Sequence, residues 1–199
     1  FRKWKKVPLR RQMTGRDVAA AILRAEGITG VTIEEVKSFL GDHYDPTTRT
    51  LRLSPDNYRG SSVAAAGIAA HEVGHAIQHK VGYGPMAIRQ KMVPVANIGT
   101  NAGVWMVILG SIMGFAGLAK LGVILFAAFV VFTLVTLPVE FNASSRAKHT
   151  LQTAGIVTGP ELAGVSSMLT AAAATYVAAA IAAVLQLLYF VMRLGLFSD

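Results

Sequence analysis

The chain has 199 residues, 53% hydrophobic and only 15% charged, with a mean hydropathy of +0.48. That is too apolar for an ordinary soluble domain and points to a membrane protein. The net charge of +8 is uneven, with 15 of the 19 Lys and Arg before residue 95, so the basic half is joined to greasy segments. This favours a lipid surface as partner and argues against nucleic acid. There is no cysteine, which excludes disulfides and thiolate metal sites and leaves His and carboxylate as ligands.

The first stretch, "FRKWKKVPLRR", is a basic cluster of the kind that flanks the cytoplasmic end of a membrane helix, and it leaves room for a further span upstream. "TGRD" (Thr14 to Asp17) has the form of an N-cap with a carboxylate three residues on, and "VAAAILRAEG" then runs helically to Gly27. "VTIEEV" (Val31 to Val36) and "RTLRLS" (Arg49 to Ser54) read as strands, with turn residues supplied by "DHYDPTT" between them. The second strand is expected to be a sheet edge able to pair with an extended peptide. An Ala-rich helix is predicted from Ser62 to Lys80, ended by "VGYGP".

Three uncharged stretches follow, Met92 to Ala119, Leu121 to Val139 and Leu162 to Met192. Each reaches the ~20 residues that a helix needs to cross a hydrocarbon core. "GTNAG" and "GSIMG" in the first have the small-residue spacing that lets helices approach closely. Only Lys120 separates the first two stretches, so a tight hairpin is expected there. The predicted fold is an α-helical membrane protein with three spans and a small α/β domain carrying the motif helix. Its segments are an α/β part over 1–91, a transmembrane hairpin over 92–139, a membrane-proximal helix and loop over 140–161, and a last span with a tail over 162–199. Two crossings return the chain to its starting side, which then holds 17 of the 19 basic residues. The positive-inside tendency places that side in the cytoplasm.

The chemistry concentrates in "AAGIAAHEVGHAIQHK", Ala65 to Lys80. On a helix His71 and His75 share one face and can converge on one ion, while Glu72 sits beside them to accept a proton from water. This is the HExxH arrangement of zinc hydrolases, and Gly74 within it permits close backbone approach. His79 continues the spacing but lies ~12 Å along the axis from His71, too far to share the same ion on an unbroken helix. The third ligand must come from elsewhere. Glu140, directly after the second predicted span, is the best placed, with His43, Glu161 and His149 as the alternatives. His43, Tyr58, Arg146 and His149 are also candidates, unranked, for binding substrate or stabilising the oxyanion.

Taken together, "AAHEVGHAIQH", "YGP", "TLPVEFNASSRA" and "DHYDP" resemble the YugP-like neutral zinc metallopeptidases, small bacterial membrane proteins. The likeness extends to "DHYDPTTRTLRLS" and "AAAATYVAAA" and covers nearly the whole chain. More distantly, HExxH with a glutamate after a transmembrane hairpin is similar to the HtpX-type membrane proteases. There a carboxylate often follows the ligand glutamate on its helix, where this chain has Ser144 and Ser145. The resemblance implies a multi-pass zinc peptidase of the bacterial cell membrane, acting on a peptide or membrane-protein substrate. The two rival readings are a zinc-containing scaffold without activity, which has no need of Glu72, and a transporter, which would want charge within its spans.

Overall fold

The computed structural model describes residues 2–37 and 41–195. Short helix α1 (Arg2–Lys5) precedes α2 (Gly15–Ala25). Thr14 caps α2 in a reciprocal box: its hydroxyl accepts from the Asp17 amide while the Asp17 carboxylate accepts from the Thr14 amide. Gly27, at φ +60°, stops the helix. Strands β1 (Thr32–Glu35), β2 (His43–Asp45) and β3 (Thr50–Leu53) form a sheet in the order β1–β3–β2, with β1 parallel and β2 antiparallel to β3.

This sheet corrects two expectations. "DHYDPTT" is not all turn, because His43–Asp45 pairs with β3 and the reversal begins only at Pro46. There the Asp45 carboxylate accepts hydrogen bonds from the Thr47 and Thr48 amides and the Thr48 hydroxyl. Second, the strand over Arg49 to Ser54 is not an edge. It is the middle strand, with Leu51 and Leu53 fully buried, so its backbone groups are already paired on both sides.

After α3 (Pro55–Arg59), helix α4 (Val63–Lys80) carries the His71–His75 stretch. Ser62 caps it by accepting from the Ala65 amide, and Gly82 at φ +64° lets the Tyr83 amide return to the Gln78 carbonyl at its end. The rest of the chain is helical: α5 (Gly84–Ile98), a π-helical segment (Gly99–Gly103), α6 (Val104–Ile112), α7 (Ala116–Thr153) and α8 (Gly159–Arg193).

Two compact units result. The first joins Phe1–Tyr83 to Glu140–Ala173, and the second joins Gly84–Val139 to Ala174–Asp199. In the first, α4 is buried on nearly every side, as its small residues allow. At Gly67 a side chain would collide with Met168 of α8, and at Gly74 a Cβ would lie 2.6 Å from the Ala143 carbonyl oxygen of α7. In the second unit, Val107, Val123, Phe126, Val130, Ala183 and Phe190 form a core. Gly103 and Gly122 face each other closely, and a Cβ on Gly110 would lie 2.5 Å from the Ala119 amide. The GTNAG glycines thus serve the close approach expected of them.

Gly114 does not, because it forms the turn instead. At φ +68°, it lets the Phe115 amide return to the Gly110 carbonyl, so the chain reverses between α6 and α7 at Met113–Phe115. The expected hairpin at Lys120 is therefore displaced, and Lys120 lies inside α7. A lysine near a membrane surface is compatible with helix, and it was glycine rather than charge that set the reversal. Three helical stretches, Gly84–Ile112, Ala116–Thr153 and Gly159–Arg193, are long and apolar enough to cross a membrane. Their surfaces expose Trp105, Ile112, Ile124, Leu185 and Met192, side chains that suit lipid. Of the predicted C-terminal segment, residues 196–199 lie outside the described residues.

Candidate metal centre

On α4 the four-residue spacing sets the two imidazoles edge to face, with ring centroids 4.9 Å apart. Glu140 comes from α7, at the close approach that Gly74 permits. It lies within that continuous helix and not past the end of one. Its Oε2 is 3.2 Å from His71 Nε2 and 3.7 Å from His75 Nε2. One ligand atom from each of the three residues lies within 4.8 Å of the others. A tetrahedral zinc with ligands at ~2.0–2.1 Å holds them about 3.4 Å apart. Two of the separations are close to that spacing and the third is no more than 4.8 Å, so the two nitrogens and one oxygen form a group that could hold a metal ion.

Both imidazoles are held from behind. His75 Nδ1 is 3.0 Å from Gln78 Oε1, and since that oxygen only accepts, Nδ1 carries a proton and Nε2 is turned toward Glu140. The Gln78 amide in turn donates to Asn142 Oδ1 at 3.0 Å, and Arg146 Nε donates to the same oxygen at 2.8 Å. His71 Nδ1 lies 3.2 Å from the Ser144 hydroxyl. Burial pushes the His75 imidazole down, but the Glu140 carboxylate, with Glu72 and Gln78, outweighs this and holds its pKa above the ordinary value. Glu72 is 8% exposed and makes no hydrogen bond or ion pair among the described residues. A carboxylate so placed is costly to bury, and it stays available to a ligand.

The remaining candidates lie apart from this group. His79 pairs with Tyr44, whose hydroxyl is 3.0 Å from Nδ1. His43 sits on β2 with Gly41 and Arg52 as partners. The Glu161 carboxylate accepts from the Arg10 and Thr158 amides and the Thr158 hydroxyl. His149 is exposed on α7, and Tyr58 is half-buried on α3. Arg146 joins the group only through Asn142. Sequence reasoning missed Gln78 and Asn142, and it named Ser144 only as a departure from the HtpX-type pattern, without the contact to His71. A signal existed for two of them: Gln78 falls three residues after His75, and Ser144 four after Glu140, so each shares a helix face with a ligand candidate.

Known proteins are similar along almost the entire length. Residues 1–195 match the pattern of a family described as "putative neutral zinc metallopeptidase". The "putative membrane protease YugP" of Bacillus subtilis (strain 168) is 46% identical over 192 residues, covering 96% of this chain and 85% of that protein. No solved structure matches. A family pattern spanning both the metal-ligand group and the apolar helices, with a relative this similar, means that the chain belongs to this zinc metallopeptidase family.

Proposed function

We propose that this chain is an integral, multi-pass membrane endopeptidase dependent on zinc, with His71, His75 and Glu140 as ligands and its site at the cytoplasmic membrane surface. The observation that carries this is the convergence of the three ligand atoms within 4.8 Å, beside a buried glutamate that makes no hydrogen bond or ion pair among the described residues. Bound there, zinc would polarise a scissile carbonyl and make water a better nucleophile at neutral pH. The chain supplies the rest. Glu72 accepts the proton that attacking water loses and delivers it to the departing amine, which lets the peptide bond break without a free hydroxide or an amide anion. Gln78 and Ser144 hold the Nδ1 sides of the two imidazoles, which keeps both Nε2 atoms turned toward Glu140. The arrangement is that of a peptidase with HExxH plus a downstream glutamate. The cytoplasmic placement rests on the basic residues, 17 of 19 of which fall on the motif side of the spans.

The test is metal content and casein hydrolysis by the purified chain and its variants. Parent protein should hold one zinc per chain. Glu72→Gln keeps the shape of the side chain but cannot take the proton, so it should retain the metal and lose about 100-fold or more of the activity. His71→Ala and Glu140→Gln should lose the metal as well. An active Glu72→Gln variant would sink the mechanism, and a Glu140→Gln variant that binds zinc like the parent would remove Glu140 from the ligand set.

A further inference from the structure

Beyond the metal ligands, α4 carries a second stripe. Glu72, Ala76, His79 and Lys80 follow one another at helical spacing, so they run along one face toward the C-terminal end of the helix. Ala76, His79 and Lys80 form one wall of a cavity of about 290 Å³, completed by Gly27, Ile28, Thr29, Val31, Tyr44 and Arg49. Among the described residues no carboxylate lines it, whereas two cations and a histidine do. The neighbouring Asp45 carboxylate is already engaged by Thr47, Thr48 and Arg52.

The donors remain available. Among the described residues Arg49 makes no side-chain hydrogen bond or ion pair, and Lys80 uses its ammonium only on the Glu26 carbonyl, leaving further N–H groups. Tyr44 and His79 share one hydrogen bond. If the phenol donates, His79 Nε2 keeps a proton to offer; if Nδ1 donates, the phenol does. Either tautomer leaves a donor for an anion. Burial holds the Tyr44 hydroxyl above its ordinary pKa, with Arg49 pulling the other way, so it stays protonated.

We infer that this cavity binds a carboxylate of the peptide substrate, from an acidic side chain or from the chain terminus, and so selects acidic peptides. The inference rests on the peptidase reading above. Ala76 and His79 lie ~6 and ~10 Å along the axis from Glu72. At ~3.3 Å per extended residue, the carboxylate belongs two to three residues from the bond that is cut.

The experiment uses the full chain in detergent, zinc-loaded, as the Glu72→Gln variant, which is expected to retain peptides without cutting them. Four peptides of one neutral sequence, carrying a neutral fluorophore, combine an interior aspartate or asparagine with a free or amidated C-terminus. By fluorescence anisotropy at least one peptide bearing a carboxylate should bind about tenfold tighter than the fully neutral one, as a charge-assisted contact implies. Preference for the amidated aspartate peptide identifies a side-chain carboxylate, and preference for the free-ended asparagine peptide identifies the terminus. Adding Arg49→Gln and Lys80→Gln should bring the ratio toward one. Arg49→Glu with Lys80→Glu should instead favour a peptide with lysine in place of aspartate, a gain that a misfolded protein cannot show. Equal affinities in the parent background overturn the inference, as does a preference that survives loss of both cations and so belongs to the metal. If the variant discriminates but the wild-type chain cleaves none of the four, the peptidase reading fails and the carboxylate site stands.

Discussion

A glutamine buried as completely as Gln78 must satisfy both ends of its amide within the protein. It does so with His75 on one side and Asn142 on the other, which sets the orientation of the amide and through it the tautomer of the imidazole. Outer partners of this kind are worth 10- to 100-fold in metal affinity. Gln78→Ala should therefore weaken zinc binding by about 10-fold or more in competition with a chelator. Gln78→Glu, which still accepts from Nδ1, should keep more of the affinity. A Gln78→Ala protein that holds zinc as tightly as the parent would show that the amide is a packing feature. Ser144→Ala removes the partner of His71 and should act in the same direction. The effect should be smaller, because His71 is more exposed than His75 and water can replace the lost hydroxyl.

Whether these side chains meet at all depends on how closely α4 and α7 approach, and Gly74 sets that distance. A Cβ there would sit 2.6 Å from the Ala143 carbonyl oxygen, with rigid backbone on the other side and no flexible side chain able to yield. Gly74→Ala should cost about 1–3 kcal/mol through overpacking. It should also displace Glu140, three residues before Ala143, so zinc affinity should fall although no ligand has changed. Thermal unfolding with and without zinc checks this, and an unaltered zinc-dependent rise in Tm would contradict it. Helix signals of this kind were legible in advance. Thr14, Ser62, Gly27 and Gly82 mark the ends of α2 and α4 because capping acts through adjacent residues. That Glu140 lies beside the HEVGH face was also legible as a position, since helical spacing and the order of the apolar stretches are sequence properties. Strand order was not. Which neighbour β3 takes on each side is decided by long-range pairing, so a strand expected at an edge lies in the middle. β2 was hidden for a related reason, because three residues flanked by Asp and Pro look like a turn until a partner strand claims them.

Across the whole chain, the membrane reading makes a demand that can be tested without activity. If the stretches Gly84–Ile112, Ala116–Thr153 and Gly159–Arg193 all cross, the turn at Met113–Phe115 and the segment near Thr158 must face opposite sides. The charge distribution then decides which is which. The motif side collects nearly all of the Lys and Arg, and moving such a side outward is opposed by the positive-inside tendency. A chain without cysteine suits the measurement, since a single introduced thiol gives the only label. Met113→Cys and Thr158→Cys both place it at exposed positions. In intact cells, a membrane-impermeant maleimide should label Met113→Cys and spare Thr158→Cys until the membrane is opened. Labelling of Thr158→Cys from outside would reverse the orientation and move the metal centre to the external face. Labelling of both would remove one of the spans. The expected pattern leaves the His71, His75 and Glu140 group facing the cytoplasm, the side on which the positive-inside tendency places it.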